Sequence, residues 1–157
     1  ALDAGAKMVM TSFNVIDGIP SSANKALFRD ILREEWGFDG CTISDYGAVH
    51  ETIINGIAED GSDAARQCIE AGVDIEMMST HYINHGKKLV EEGRLSIELI
   101  DQSVRNILHL KNELGLFENP FKDADPEAEK RLHLFMQRAQ RKSPPGCQTI
   151  HCPFKER

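Results

Sequence analysis

No long apolar run exists in this chain of 157 residues, and none of its hydrophobic segments could span a bilayer. Excess positive charge is also missing. The formal net charge is −7, which argues against a nucleic-acid or anionic-membrane partner. No G-x-G-x-x-G or Walker pattern follows any candidate strand, which weakens a nucleotide-binding reading. There is no initiator Met. The chain opens Ala1-Leu2-Asp3-Ala4-Gly5 and enters a strand pattern almost at once, so it reads as cut from something longer. Cys147, Cys152 and His151 sit close together, but their spacing matches no tight metal-ligand motif. Cys41 and Cys68 lie in apolar patterns and read as small core residues.

What remains is the composition of a soluble globular protein, 41% hydrophobic and 27% charged. It is enough to bury one ordinary core. Lys7 to Ser12 is short and apolar, as expected of a strand buried on both faces. Phe13 to Pro20 reads as a loop, for it holds Asn, Asp, Gly and Pro. Ser21 and Ser22 offer caps for a helix through about Trp36, with Leu27, Phe28, Ile31, Leu32 and Trp36 at helical spacing. A second strand, Cys41 to Ser44, ends in Asp45, and a loop follows to about Gly61. A helix capped near Ser62 then carries Ala64, Ala65, Cys68 and Ile69 and stops at Gly72. The third strand is Val73 to Met78. A helix from about Ile83 to Glu92 follows, and Ser96 caps a longer one striped by Ile97, Ile100, Val104, Ile107, Leu108, Lys111 and Leu114.

Short apolar strands each followed by a crossover helix predict an α/β fold with a parallel sheet. Three strands cannot close a barrel, which needs eight and roughly 250 residues. The alternatives are a small open sheet or the last part of a barrel. From about Glu118 the texture changes: residues 123–142 are strongly charged and could form an exposed helix with Leu132, Leu134, Phe135 and Met136 as a weak apolar face, Ser143 to Gly146 break it, and the last eleven residues have no periodicity.

The chemistry is expected at Ser44-Asp45-Tyr46-Gly47. A carboxylate at the mouth of a strand, followed by a tight turn, is where an α/β protein places reacting groups. Asp45 is a candidate nucleophile; the ordinary alternative is a helix cap or loop anchor. Tyr46 beside it could stack under a sugar ring. Asp74 and Glu76 alternate with Val73, Ile75 and Met77 and need partners if buried. His50 and His81 follow strand ends, where a lone histidine is normally solvated, and His85 and His109 fall on helix surfaces.

Several motifs stand in register. They are Met10-Thr11-Ser12-Phe13-Asn14, Asp17-Gly18-Ile19-Pro20-Ser21-Ser22-Ala23-Asn24, Glu35-Trp36-Gly37-Phe38-Asp39-Gly40, Ser44-Asp45-Tyr46-Gly47-Ala48, Ala71-Gly72-Val73-Asp74-Ile75-Glu76-Met77 and Gly115-Leu116-Phe117. Over residues 1–121 this order resembles glycoside hydrolase family 3, and within it the bacterial β-glucosidase branch. The resemblance implies the last three βα units of a (β/α)8 TIM-type barrel, then a charged interdomain linker over 122–143. It implies hydrolysis of terminal β-D-glucosyl residues by a retaining double displacement, with no cofactor. Asp45 takes the place of the family's nucleophile. Tyr46 stands where Trp is common, and Met10 and Phe13 where an M-x-x-Y pattern lines the substrate pocket.

The resemblance also implies what is outside the chain: the rest of the barrel, and a second domain carrying the acid/base glutamate. The isolated chain is therefore expected to be inactive. Other β-glycosidases of the family, acting on xylosides or N-acetylglucosaminides, are the alternatives, and a non-catalytic α/β binding module is a third. The compartment is left open among periplasm, secretion and bacterial cytoplasm. After Ser143 the sequence departs from the family's next strand, which points to a frame change or misassembly near that residue.

Overall fold

In the computed structural model, residues 1–122, 124, 125, 127 and 128 are described. The charged segment and the tail beyond them, with Cys147, His151 and Cys152, lie outside the described residues. Ala1–Phe117 form one compact unit.

Two strands run parallel at its centre. In β1 (Met8–Met10) and β4 (Cys41–Ile43), Met8 lies beside Cys41, Val9 beside Thr42 and Met10 beside Ile43. The ladder extends one step each way, with Cys41 N–H donating to the Lys7 carbonyl and Thr11 N–H to that of Ile43. Alternation along β1 turns Val9 toward a cluster of Phe28, Leu32, Phe38 and Val73. Met8 and Met10 therefore face the other side of the sheet and stay substantially exposed.

The third expected strand, Val73 to Met78, is reduced to one parallel bridge between Ile43 and Ile75. Side chains have taken over a rung. Thr42 N–H donates to Asp74 Oδ2 at 2.8 Å rather than to a strand carbonyl, and the Gly72 carbonyl accepts from the Thr42 hydroxyl at 2.5 Å.

The stretch Phe13 to Pro20 is more ordered than the expected loop. β2 (Val15–Ile16) pairs antiparallel with β3 (Ile19–Pro20). Asp17 and Gly18 both have positive φ, 50° and 81°, as the tight turn of a two-residue hairpin requires. The serines expected as helix caps instead turn inward. Ser22 Oγ bonds Thr11 Oγ1 at 2.8 Å, and Ser21 Oγ accepts from Ser12 N–H at 3.4 Å. Asn24 takes over near the helix start, its Oδ1 accepting from Leu27 N–H at 3.2 Å. The helix itself, Ala26–Glu35, is wound with π-type spacing, and Trp36 N–H closes it on the Ile31 carbonyl. Phe28 and Leu32 are buried, whereas Trp36, expected on the same stripe, remains exposed.

The expected loop after Asp45 contains a helix, α1 (Ala48–Ile54). Its β-branched residues disfavour a helix locally, so burial of Val49 and Thr52 must hold it, with Thr52 Oγ1 donating to the Val49 carbonyl. α2 (Gly61–Ala71) is capped by Asp60 accepting from Asp63 N–H, not by Ser62. α3 (His81–Glu91) starts two residues before the expected position. α4 (Ile97–Glu113) begins as expected, with Ser96 Oγ accepting from Glu98 N–H. Its apolar stripe is only partly used: Ile100 packs toward Ala65, Ile69, Leu89 and Leu95, while Ile97, Val104, Leu108 and Leu114 stay about half exposed.

Candidate active site

The turn after β4 is held from several directions. Ser44 is fully buried; its N–H donates to the Ile75 carbonyl, and its hydroxyl accepts from Met77 N–H at 2.8 Å and donates to the Asp45 carbonyl at 3.0 Å. Asp45 N–H donates to Thr11 Oγ1 at 3.1 Å. Gly47 N–H reaches the Met77 carbonyl, and Ala48 N–H that of Asp45. Gly47, at φ 69°, supplies the left-handed step that lets the chain leave the strand and start α1.

These contacts aim one carboxylate. Tyr46 N–H donates to Asp45 Oδ1 at 2.6 Å. Asp45 Oδ2 makes no hydrogen bond to any described residue. One oxygen is anchored and the other is open, on a rigid strand end. That arrangement suits a group that must attack along a fixed line.

Met10 ends β1 beside Ile43, and Phe13 follows three residues later, so both leave the same end of the parallel pair as Asp45 and Tyr46. Tyr46 is 64% exposed, Met10 53% and Phe13 49%. No hydrogen bond joins these three side chains to Asp45 among the described residues. Met10 also borders a groove between β1 and the Ala26–Glu35 helix, with Val9, Ser12, Leu27 and Ile31.

Two nearby carboxylates have other work. Glu76 caps α3, accepting from the N–H groups of His81 and Tyr82 at 3.0 and 2.7 Å. Asp74 is buried under β4. Its Oδ2 takes Thr42 N–H and Arg33 Nη2, each at 2.8 Å, and its Oδ1 takes Asn106 Nδ2 at 3.0 Å. Neither points a free oxygen at the strand mouth. Burial pushes the Cys41 thiol up to about 11 and the Cys68 thiol up to about 12, so both stay protonated and unreactive.

Thr11, Ser22 and Ser44 escaped sequence reasoning. Their signal was a run of hydroxyls at two strand ends, which is equally the signal of ordinary loop residues. Thr11 is 2% exposed, so its hydroxyl has a defined effect. Thr11→Val is expected to lower unfolding free energy by about 1–3 kcal/mol, because Asp45 N–H and the Ser22 hydroxyl lose their partner. Thr11→Ser should restore most of it. Urea unfolding of both variants checks this; a Val variant as stable as the parent would remove the anchoring role.

Comparison with known proteins gives a consistent result. The family model described as Glycosyl hydrolase family 3 N terminal domain matches residues 1–110. The periplasmic β-glucosidase of Salmonella typhimurium is 39% identical over 140 residues, covering 84% of this chain and 18% of that protein. A putative β-xylosidase of Formosa agariphila is 34% identical over 118 residues, covering 74% of this chain and 16% of that protein. The crystal structure of a β-glucosidase from Listeria innocua in complex with glucose superimposes with a TM-score of 0.75 at 57% identity, over 76% of this chain and 17% of that one. The chain thus spans less than a fifth of the length of each of these relatives.

Proposed function

The chain belongs to glycosyl hydrolase family 3, and from that membership we propose that it is the nucleophile-bearing segment of a retaining β-glucosidase. In this reading residues 1–121 are the last three βα units of a (β/α)8 barrel, 122–143 a linker to the next domain, and 144–157 an irregular tail. Asp45 Oδ2 attacks the anomeric carbon of a terminal β-D-glucosyl residue, the bond to the aglycone oxygen breaks as that oxygen takes a proton from the acid/base, and a covalent glycosyl-enzyme forms. Water then releases glucose with net retention. Tyr46 forms the pocket floor under the sugar ring, and Met10 and Phe13 line the same subsite.

The observation that carries this reading is the Asp45 carboxylate, with one oxygen fixed by Tyr46 N–H and the other open at the end of a parallel strand. The glucose-bound Listeria relative supports the choice of sugar. Similarity to a putative β-xylosidase keeps xylosides as the second candidate. Glucose carries a hydroxymethyl group that xylose lacks, and the relative rates of the longer enzyme on aryl β-glucoside and aryl β-xyloside decide between them.

Retention requires a second carboxyl group roughly 5–5.5 Å from the first. The family resemblance puts that acid/base glutamate in a following domain, outside this chain, and the two carboxylates nearest the third strand segment, Asp74 and Glu76, are engaged elsewhere. Purified residues 1–157 are therefore expected to give no turnover of an aryl β-glucoside. The longer enzyme that includes this segment should be inactivated by a 2-deoxy-2-fluoro-β-glucoside, and peptide mapping should place the label on Asp45. A label elsewhere overturns the nucleophile assignment, and turnover by the fragment overturns the external acid/base.

A further inference from the structure

Three histidines expected to be solvated lie together. His50 is in the first turn of α1, directly after the Asp45 turn; His81 opens α3, and His85 follows one turn later. The rings of His50 and His81 are 5.3 Å apart and 11° from parallel, and those of His81 and His85 are 6.1 Å apart and 18° from parallel. His50 Nδ1 and His81 Nε2 are hydrogen-bonded at 3.2 Å. Gly61, which opens α2, sits against the other side: a Cβ there would fall on His81 Nδ1. Among the described residues no group of three or more His, Cys, Asp or Glu side chains is arranged to hold a metal ion. His50 and His81 are joined by a ring-nitrogen bond, and His85 stacks on His81.

We propose that His50, His81 and His85 form a proton-operated brace, which holds the helix leaving the Asp45 turn against the helix leaving the neighbouring segment. A hydrogen bond between two imidazoles needs one N–H and one lone pair, so at least one ring of the pair must be neutral. A second proton sets N–H against N–H and adds two like charges about 5 Å apart, with His85 behind them.

The facing charges come from several elements. Burial is the largest influence on His81 and disfavours its charged form. The Glu76 carboxylate opposes this, His50 and His85 reinforce it, and Asp60 at the start of α2 opposes it again; the balance lies below the usual histidine value. A group with a lowered folded pKa contributes stability that is present above its unfolded value near 6.5. That contribution is lost as pH falls through the folded value. Protonated alone, His81 still donates to a neutral His50, so the brace slackens when the second ring of the pair is charged, again on the acid side.

Its effect reaches the strand mouth through Glu76, which accepts from His81 N–H, and through the adjoining Met77, whose N–H bonds Ser44 Oγ and whose carbonyl accepts from Gly47 N–H. The consequence for turnover rests on Asp45 being the nucleophile; the brace itself does not.

The test is a nitrogen-resolved NMR titration of the imidazoles in residues 1–157, from about pH 8 to about pH 5, with amide exchange followed at Gly47. At the upper end His50 Nδ1 and His81 Nε2 should resolve as one N–H and one lone-pair nitrogen. His81 should take its proton below the ordinary range. Gly47 protection, corrected for intrinsic exchange, should fall about tenfold on acidification, which is one power of ten in the opening equilibrium. His50→Gln removes one titrating ring and should flatten that fall. Three independent, ordinary titrations, or Gly47 protection constant across the range, would overturn the proposal, and the unsubstituted chain alone decides this. Coupled titration together with a glycosyl label found away from Asp45 would leave the brace standing and remove only its link to catalysis.

Discussion

Replacing Asp45 by Ala in the enzyme that includes this segment is expected to lower turnover of an aryl β-glucoside by about ten-thousand-fold or more, the scale seen when a catalytic nucleophile is removed. The loss should be chemical and not structural. The Asp45 side chain accepts one hydrogen bond at the surface, from Tyr46 N–H, while the anchoring bonds of the turn run through its backbone and through Ser44 and Thr11. Unfolding free energy should therefore change by under about 1 kcal/mol. If Asp45 is the nucleophile as proposed, truncation also leaves a space on the face of the sugar that its carboxylate would attack. Added azide should enter it, restore part of the rate with an activated substrate, and yield the α-glycosyl azide. An Ala variant within about tenfold of the parent, or rescue that gives the β-azide, would contradict the assignment.

The second large effect is on stability. Asp74→Ala is expected to cost about 3–5 kcal/mol, since it leaves a buried cation uncompensated. The Arg33 side chain is 16% exposed and that of Asp74 4%. Removing the carboxylate also strips the partner from Thr42 N–H and from the Asn106 amide. Arg33 keeps weaker bonds to the carbonyls of Gly40 and Phe38, which moderate the loss without balancing the charge. In a chain of this size each kcal/mol moves the midpoint by roughly 2–4 °C, so thermal unfolding should drop by about 10 °C. Substituting Arg33 and Asp74 together by apolar residues should cost less than the sum of the single changes, because neither charge is then stranded. Additive losses, or an Asp74→Ala variant within about 1 kcal/mol of the parent, would show that the pair does not carry this energy.

Much of this arrangement was legible in the residues. The apolar run before Asp45, the acid at its end and Gly47 after it located the strand, the candidate group and the turn. The capping serine before α4 and the glycines after α2 and α3 placed those helices closely. Errors arose where tertiary contacts outweighed local preference. Val49 to Ile54 is rich in β-branched residues, yet burial of Val49 and Thr52 makes it a helix. Asp17-Gly18 carried a hairpin signal that Pro20 obscured, although a proline ending a two-residue strand forfeits little. The third strand failed because Asp74 folds its side chain back into the ladder, which no alternation pattern records. The histidines were judged singly, and only the packing of α1 and α3 on α2 brings them side by side.

The carboxylate beneath β4 has one more consequence. Arg33 and Asp74 are 41 positions apart and Asn106 follows 32 later, so the partners are made in widely separated stretches of the message. As the chain emerges from the ribosome, the arginine comes first, the acid much later, and the amide only once most of α4 has been translated. A nascent chain halted before Asn106 would leave the acid one donor short. Completion of this knot therefore waits for α4, and a truncation before Asn106 should leave the growing sheet in the care of chaperones, although every residue of β1, β4 and the Asp45 turn is already present.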